Sequence, residues 1–206
     1  ILGLDQDLDQ RGFVEVALDR PGRSDWNFVL ADVHHHQLDL HVVWWDEDGR
    51  GVLGPAERGG GPPGVFRSIE PAWHDANLRS IAEATWSPLF FCHVRAAAGP
   101  PIQQTNCHPF RYGKWLWMRN GQIAGFRDLK RDLVLAVDPS LYPFIEGSSD
   151  TETFFYLALT FGLQEDPPAA VEKAVGFIEA TGRRHGIESP MRMSLAVADG
   201  VDIWAF

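Results

Sequence analysis

The sequence predicts a layered α+β fold, mainly because like elements follow one another along the chain. Strand patterns come first, two or three consecutive helix patterns occupy residues 128–186, and two more strand patterns follow. Such blocks indicate antiparallel sheets covered by helices rather than the alternating βαβ units of a parallel sheet. The 206 residues are enough for one sizeable core, so a single domain over residues 1–206 is expected.

The first half of the chain combines strand patterns with one helix pattern. Apolar and β-branched residues predict strands over Phe13–Leu18 and Leu38–Trp45. The segment 54–64 is rich in glycine and proline, which predicts a loop within the domain. Asp75 is a candidate N-cap for a helix. Leu89–Ala96 is apolar on both faces, which is typical of a buried strand.

Three helix patterns and a hairpin occupy the second half. Residues 128–137 have helical apolar spacing, and Ser149 and Glu152 have capping-box spacing before an apolar helix. A third helix is predicted over residues 166–186, with proline at its start and glycine beyond its end. The Asp-Gly pair at 199–200 then predicts the turn of a final hairpin.

The stretch NCHPFRYGKWLWMRNGQIAGF, residues 106–126, first suggests an ordinary hairpin. Trp115–Met118 has a strand pattern, and Asn120 followed by Gly121 is the strongest short-range turn signal. The NCHPF run at its start is interpreted as a turn into the strand. Cys107 is then a small buried residue, and the run has no direct chemical role.

Composition and charge exclude several functional classes. With 28 acidic and 18 basic side chains the net charge is −10, which argues against a nucleic-acid or anionic-membrane surface. We find no apolar run long enough to span a bilayer and no signal peptide. The two cysteines, Cys92 and Cys107, do not suggest a disulfide scaffold, so a reducing cytoplasmic location is expected.

Four short signals change the interpretation when they are taken in order. Arg95 lies in HVRAAAG, NCHPF follows it, Asn120 and Gly121 lie in MRNGQI, and Asp150 lies in GSSDTE. With flanking segments such as GVFRSIEPAW, these residues resemble the glutaminase domain of class II, N-terminal-nucleophile glutamine amidotransferases. The chain is most similar to the short, stand-alone members, over residues 63–206.

The resemblance implies a four-layer αββα sandwich, in which two antiparallel sheets pack between helical layers. It implies that Arg95 binds the α-carboxylate of glutamine and that Asp150 binds the α-ammonium. The side-chain amide of Asn120 and the backbone N–H of Gly121 would form the oxyanion hole. The implied reaction is glutamine hydrolysis or γ-glutamyl transfer through a thioester, without a cofactor. Its partners would be a small-molecule substrate and an acceptor enzyme.

The sequence departs from the family pattern at several positions. The family uses the thiol of an N-terminal Cys whose own α-amine acts as base, whereas this chain begins with Ile1. Neither Cys92 nor Cys107 can offer a free α-amine, so no nucleophile is assigned in this chain. Ala98 stands where relatives often have a Thr that helps to bind substrate, and Arg119 stands where they usually have His.

These departures leave two explanations and one rival function. Either the chain is a fragment incomplete at both ends, which an ending in mid-strand at Phe206 favours, or it is a homologue that binds glutamine or a γ-glutamyl compound without catalysis. The rival is a metal-binding protein, because imidazoles at His34, His36 and His41 suit zinc, nickel or copper. That cluster, His34–His41, has no carboxylate or Cys at a recognised ligand spacing, so no metal site is assigned.

Overall fold

The protein is described by a computed structural model, which covers part of the chain. It describes Val14–Leu18 and Leu38–Trp45 as strands by their backbone, and residues 63–71, 74–84, 89–96 and 101–206. The strands in these ranges are β1 (Val14–Leu18), β2 (Leu38–Trp45), β3 (Gly64–Pro71), β4 (Leu89–Ala96), β5 (Phe110–Tyr112), β6 (Trp115–Ile123), β7 (Met191–Ala198) and β8 (Ile203–Ala205). The helices are α1 (Ala76–Ala84), α2 (Phe126–Leu135), α3 (Asp150–Thr160) and α4 (Pro167–Arg184).

The strands form two antiparallel four-stranded sheets. The first sheet has the order β1-β4-β2-β3 and the second the order β5-β6-β7-β8. In the first sheet β4 pairs along its length with β2, and in the second sheet β6 pairs with β7 from Leu116↔Ala198 to Ile123↔Met191. The predicted α+β fold with antiparallel sheets is therefore confirmed for the described part of the chain.

The second sheet is covered on both faces. Trp117 of β6 packs against two rings of α3, with centroid distances of 4.8 Å to Phe154 and 5.5 Å to Phe155. Leu116, on the opposite face of β6, belongs to a buried cluster that includes Phe91 of the first sheet. The described residues thus form three layers: the first sheet, the second sheet, and the helices α2, α3 and α4.

Most of the predicted element boundaries agree with the structure. Asp75 caps α1 by accepting the backbone N–H of Asn77 at 2.9 Å and of Leu78 at 3.1 Å. The predicted loop 54–64 lies outside the described residues except for its last two positions. Of these, Gly64 belongs to β3, so the prediction extends one residue too far. In the described ranges, no helix has both the length and the apolar character needed to cross a bilayer.

The start of α3 corrects the predicted capping box. Ser149 accepts the backbone N–H of Glu152 at 3.0 Å, as expected of an N-cap. The carboxylate of Glu152 instead accepts the N–H groups of Glu146 at 2.9 Å and Gly147 at 2.8 Å, because the preceding loop folds back over the helix start. Burial raises the pKa of Glu152, and these two hydrogen bonds oppose the rise.

Asn120 and Gly121 do not turn the chain, so the turn predicted there is wrong. Residues 106–126 do contain a hairpin, but it joins β5 to β6, with Phe110 paired with Trp117. The strand β6 continues through Asn120 and Gly121, and Gly121 pairs with Met193 of β7. Pairing with this distant strand replaces the local turn. Glycine is required for a different reason: its φ is +129°, and a Cβ there would lie 2.1 Å from the carbonyl oxygen of Arg192.

Replacing Gly121 by Ala is expected to lower the free energy of unfolding by more than about 3 kcal/mol, because backbone strain and collision with β7 act together. Gly113 is the matched control, since its φ is +56° but a Cβ there would meet nothing within 4 Å. Gly113→Ala should cost about 1–2 kcal/mol. Urea unfolding measures both losses, and equal values would contradict the close approach of the two strands at Gly121.

Candidate functional site

The end of β6 and the start of α3 are joined by a buried ion pair. Nη2 of Arg119 donates to Oδ2 of Asp150. The side chain of Arg119 is 0% exposed and that of Asp150 is 17% exposed. The same carboxylate oxygen accepts the backbone N–H of Ile123 at 2.7 Å. Asp150 is therefore held beside the strand that carries Asn120 and Gly121.

Arg119 makes further contacts on the side of β6 that faces α3. Its Nη2 also lies 3.4 Å from the carbonyl oxygen of Gly121, and its Nη1 lies 3.9 Å from Sδ of Met191. Its guanidinium carbon is 5.9 Å from the centre of the Phe154 ring. Among the described residues, Nε has no acceptor, and Asp150 is the one carboxylate that pairs with this cation. Each charge of the pair thus depends on the other for compensation.

One carboxylate oxygen of Asp150 has no hydrogen-bond donor among the described residues. Its Oδ2 accepts both hydrogen bonds described above, whereas Oδ1 accepts none from the residues that the structure describes. Asp150 is also the first residue of α3, where the positive end of the helix dipole favours an anion. Oδ1 is therefore the acceptor that this end of the helix can offer to a small ligand.

The structure describes Asn120 and Gly121 in full but only the backbone of Arg95. Asn120 is half-buried and Gly121 is exposed, and both lie next to the ion pair along β6. Arg95 lies on β4 of the other sheet, where its backbone pairs with Asp39. The side chain of Arg95 lies outside the described residues. The structure thus brings Asp150 to Asn120 and Gly121, while the substrate contact of Arg95 stays a prediction.

Asn106 is a candidate positioning residue that the sequence interpretation missed. Its side chain is fully buried, its Oδ1 accepts the backbone N–H of Ser148 at 2.8 Å, and its Nδ2 donates to the carbonyl oxygen of Pro101 at 2.9 Å. These bonds fasten the loop that leads directly into Asp150. The only sequence signal was the position of Asn106 in the NCHPF run, to which no chemical role was assigned.

A cavity of about 550 Å³ opens beside the same end of α3. Its walls combine cationic, anionic and aromatic side chains, a lining that can accommodate a polar small molecule. Its polar lining residues include Arg67, Gln104, Arg111, Glu146, Glu152 and Tyr156.

The remaining residues of the NCHPF run are packed into the interior. Cys107 is 0% exposed, and its Sγ lies 3.2 Å from the carbonyl oxygen of Gln103. The ring of His108 lies against that of His93 at an interplanar angle of 45°, with a nitrogen–nitrogen distance of 3.2 Å. Cys92 is buried in β4. The prediction that Cys107 is a small buried residue is confirmed.

The metal alternative is not tested by the structure. Within the described ranges, no group of three or more His, Cys, Asp or Glu could hold a metal ion. In the His34–His41 cluster, the first three histidines lie outside those ranges, and only the backbone of His41 is described. Metal binding by this cluster therefore stays an untested alternative.

Comparison with known proteins gives partial matches to a probable glutamine amidotransferase and to hydrolases of a γ-glutamyl compound. The chain is 43% identical over 97 residues to the probable glutamine amidotransferase DUG3 of Saccharomyces cerevisiae, covering 47% of this chain and 27% of that protein. It is 39% identical over 59 residues to a gamma-glutamyl-hercynylcysteine sulfoxide hydrolase of Mycolicibacterium smegmatis, covering 28% of this chain and 26% of that protein. The matches thus span about a quarter of the length of these curated relatives. No protein-family model matches the chain.

Solved structures extend the likeness over most of the chain. A glutamine aminotransferase class-II domain protein from Silicibacter pomeroyi matches with a TM-score of 0.66 and 32% identity, covering 83% of this chain and 73% of that one. Glutamine phosphoribosylpyrophosphate amidotransferase from B. subtilis matches with a TM-score of 0.54 and 14% identity, covering 82% and 30%, and shows the fold alone. Because the first of these structures is 32% identical to the chain and 73% of it is covered, the chain belongs to the class II glutamine amidotransferase family.

Proposed function

We propose that this domain binds L-glutamine or a γ-glutamyl compound and supports hydrolysis or transfer of the γ-glutamyl group. The observation that supports it most is the ion pair that fixes the Asp150 carboxylate beside Asn120 and Gly121. Two relatives act, by name, on glutamine and on a γ-glutamyl compound. A small-molecule substrate of that class is therefore the natural ligand of this site.

Two charged residues recognise the α-carbon end of the ligand. Arg95 binds the α-carboxylate, because the guanidinium fork can donate two parallel hydrogen bonds to a carboxylate. Oδ1 of Asp150 accepts a hydrogen bond from the α-amino group, because the donors among the described residues all bond to Oδ2. The two residues together orient the γ-carbonyl toward β6.

The oxyanion hole lies on β6. The thiol gives its proton to the base and attacks the γ-carbonyl carbon as a thiolate, and the carbonyl oxygen gains the negative charge. When this intermediate collapses, the C–N bond breaks and the protonated base returns the proton to the nitrogen, which leaves as ammonia. The side-chain amide of Asn120 and the backbone N–H of Gly121 stabilise that charge, and one such donor contributes about 3 kcal/mol. Water or an acceptor then cleaves the γ-glutamyl thioester.

The thiol is that of an N-terminal Cys whose α-amine serves as base. Cys92 and Cys107 are both buried within the chain and cannot take this role. The proposal therefore assigns the nucleophile to neither of them.

We also propose that α1 forms the remaining layer of the fold. With α1 on the outer face of the first sheet, the three described layers become the four-layer αββα sandwich of N-terminal-nucleophile hydrolases. The buried Leu78 gives α1 an apolar side for that contact. An acceptor enzyme for the ammonia and a cytoplasmic location stay predictions.

Asn120→Ala in the intact natural protein is expected to lower kcat for ammonia release from L-glutamine by about 10²–10³-fold with little change in KM, because the donor acts mainly in the transition state. Gln122→Ala is the matched control, since it removes an exposed amide from the same strand. A coupled ammonia assay measures both variants. Equal effects of the two substitutions, or no ammonia from the natural protein, would refute the proposed reaction.

Asn106→Ala is expected to weaken L-glutamine binding by about tenfold, because it releases the loop that precedes Asp150. It should also cost about 2–3 kcal/mol of stability, since a backbone N–H and a backbone carbonyl lose their partner. Ser148→Ala is the control, because it keeps the 2.8 Å bond from the Ser148 backbone to Asn106. Calorimetry and urea unfolding measure the two quantities. Wild-type affinity in Asn106→Ala would rule out a positioning role.

A further inference from the structure

We propose that the cavity of about 550 Å³ is a second ligand site, which binds a small organic anion with a carboxylate or phosphate group between Arg67 and Arg111. The cavity opens where β3 and β5, the edge strands of the two sheets, meet the loop before α3. Its volume lies in the range of sites that hold small molecules. This site is distinct from the one proposed for the γ-glutamyl compound.

Arg67 is a cation in the cavity wall that the described residues leave without a partner. The side chain is half-buried on β3, and its guanidinium makes no ion pair and donates no hydrogen bond within the described ranges. Its Nε is buried and has no acceptor. A buried N–H group without an acceptor is unfavourable, and an oxygen of a bound anion would supply what is missing.

Arg111 adds a second cation from the edge of the other sheet. Its Nη1 donates to the carbonyl oxygen of Pro63 at 3.0 Å, which holds the side chain at the cavity. None of the described carboxylates lies within ion-pair distance of it. A guanidinium fork can donate two parallel hydrogen bonds to a carboxylate or a phosphate. Two such forks without an anionic partner therefore favour an anion.

Two carboxylates line the same cavity, but neither depends on these arginines for its hydrogen bonds. The oxygens of Glu152 accept the backbone N–H groups of Glu146 and Gly147 at 2.9 and 2.8 Å. The side chain of Glu146 is exposed, so water and salt screen its charge. The need for a partner in this cavity is thus on the side of the cations.

Aromatic rings form the apolar part of the wall. Phe66, Phe110, Phe144 and Tyr156 all line the cavity. The hydroxyl of Tyr156 already donates to the carbonyl oxygen of Phe144 at 2.8 Å, so its ring offers a ligand mainly van der Waals contact. Phe144 is 51% exposed, and a ligand would cover it. The anionic group is therefore carried on a flat or apolar body.

The cavity and the γ-glutamyl site lie on different sides of the start of α3. Successive helical residues turn by about 100°, so the side chains of Asp150 and Glu152 leave the helix about 200° apart. Asp150 contacts β6, whereas Glu152 lines the cavity. Phe110 of the cavity wall pairs with Trp117, which precedes Asn120 by about 10 Å along β6. An anion in the cavity therefore leaves the γ-glutamyl site free.

The test titrates benzoate and phenyl phosphate into the full wild-type chain by calorimetry, with benzamide as the neutral control. At least one of the two anions is expected to bind with a dissociation constant below about 1 mM, and benzamide at least about tenfold more weakly. Which anion binds more tightly decides between the carboxylate and the phosphate. No binding of either anion, or equal binding of benzamide, would overturn the inference.

Variants then locate the anion. Arg67→Met should weaken its binding at least about tenfold, and Arg111→Met, which alters an exposed side chain and keeps the test open if the first variant does not fold, at least about threefold. Arg95→Met is the control, because it removes the cation predicted for the α-carboxylate of glutamine, and it should leave anion binding unchanged. Unchanged affinity in Arg67→Met and Arg111→Met, or a comparable loss in Arg95→Met, would contradict a second site. Binding of L-glutamine is measured separately, so failure of the proposed function would not alter this result.

Discussion

The candidate site depends on one ion pair, between Arg119 of β6 and Asp150 of α3. A guanidinium with no exposed surface needs an anion, and Asp150 is the carboxylate that the described part of the chain supplies. The pair therefore fixes where α3 begins relative to β6. It also occupies Oδ2 of Asp150, which accepts from Arg119 and from the backbone N–H of Ile123, so that Oδ1 is left without a donor among the described residues.

The rest of the described structure holds this pair from two sides. On the strand side, β6 is covered by the first sheet and by the helices, and Gly121 lets it approach β7 closely. On the helix side, Asn106 fastens the loop before α3, and Ser149 caps the helix. A site built on packed elements keeps its geometry better than one on free loops, which is what recognition of a small ligand requires.

Local patterns predicted the elements, and long-range contacts account for what they missed. Capping at Ser149 depends on neighbouring residues and could be recognised in the sequence. The turn expected at Asn120 and Gly121 failed because pairing with a strand some 70 residues later replaced it. Asp150 was found through a motif resemblance. Asp150, the anion that pairs with Arg119, lies 31 residues away, and Ser148, which Asn106 holds, lies 42 residues away. No short-range pattern encodes such contacts.

A double-mutant cycle on Arg119→Met and Asp150→Asn tests the central claim most directly, with urea unfolding as the measurement. Asp150→Asn alone should cost about 3–5 kcal/mol, because it leaves a buried cation without its anion. Arg119→Met should cost less, since Asp150 is 17% exposed and can be hydrated. The double variant should recover at least about 2 kcal/mol relative to the sum of the single losses. Additive losses within about 0.5 kcal/mol would contradict the claim that this pair organises the site.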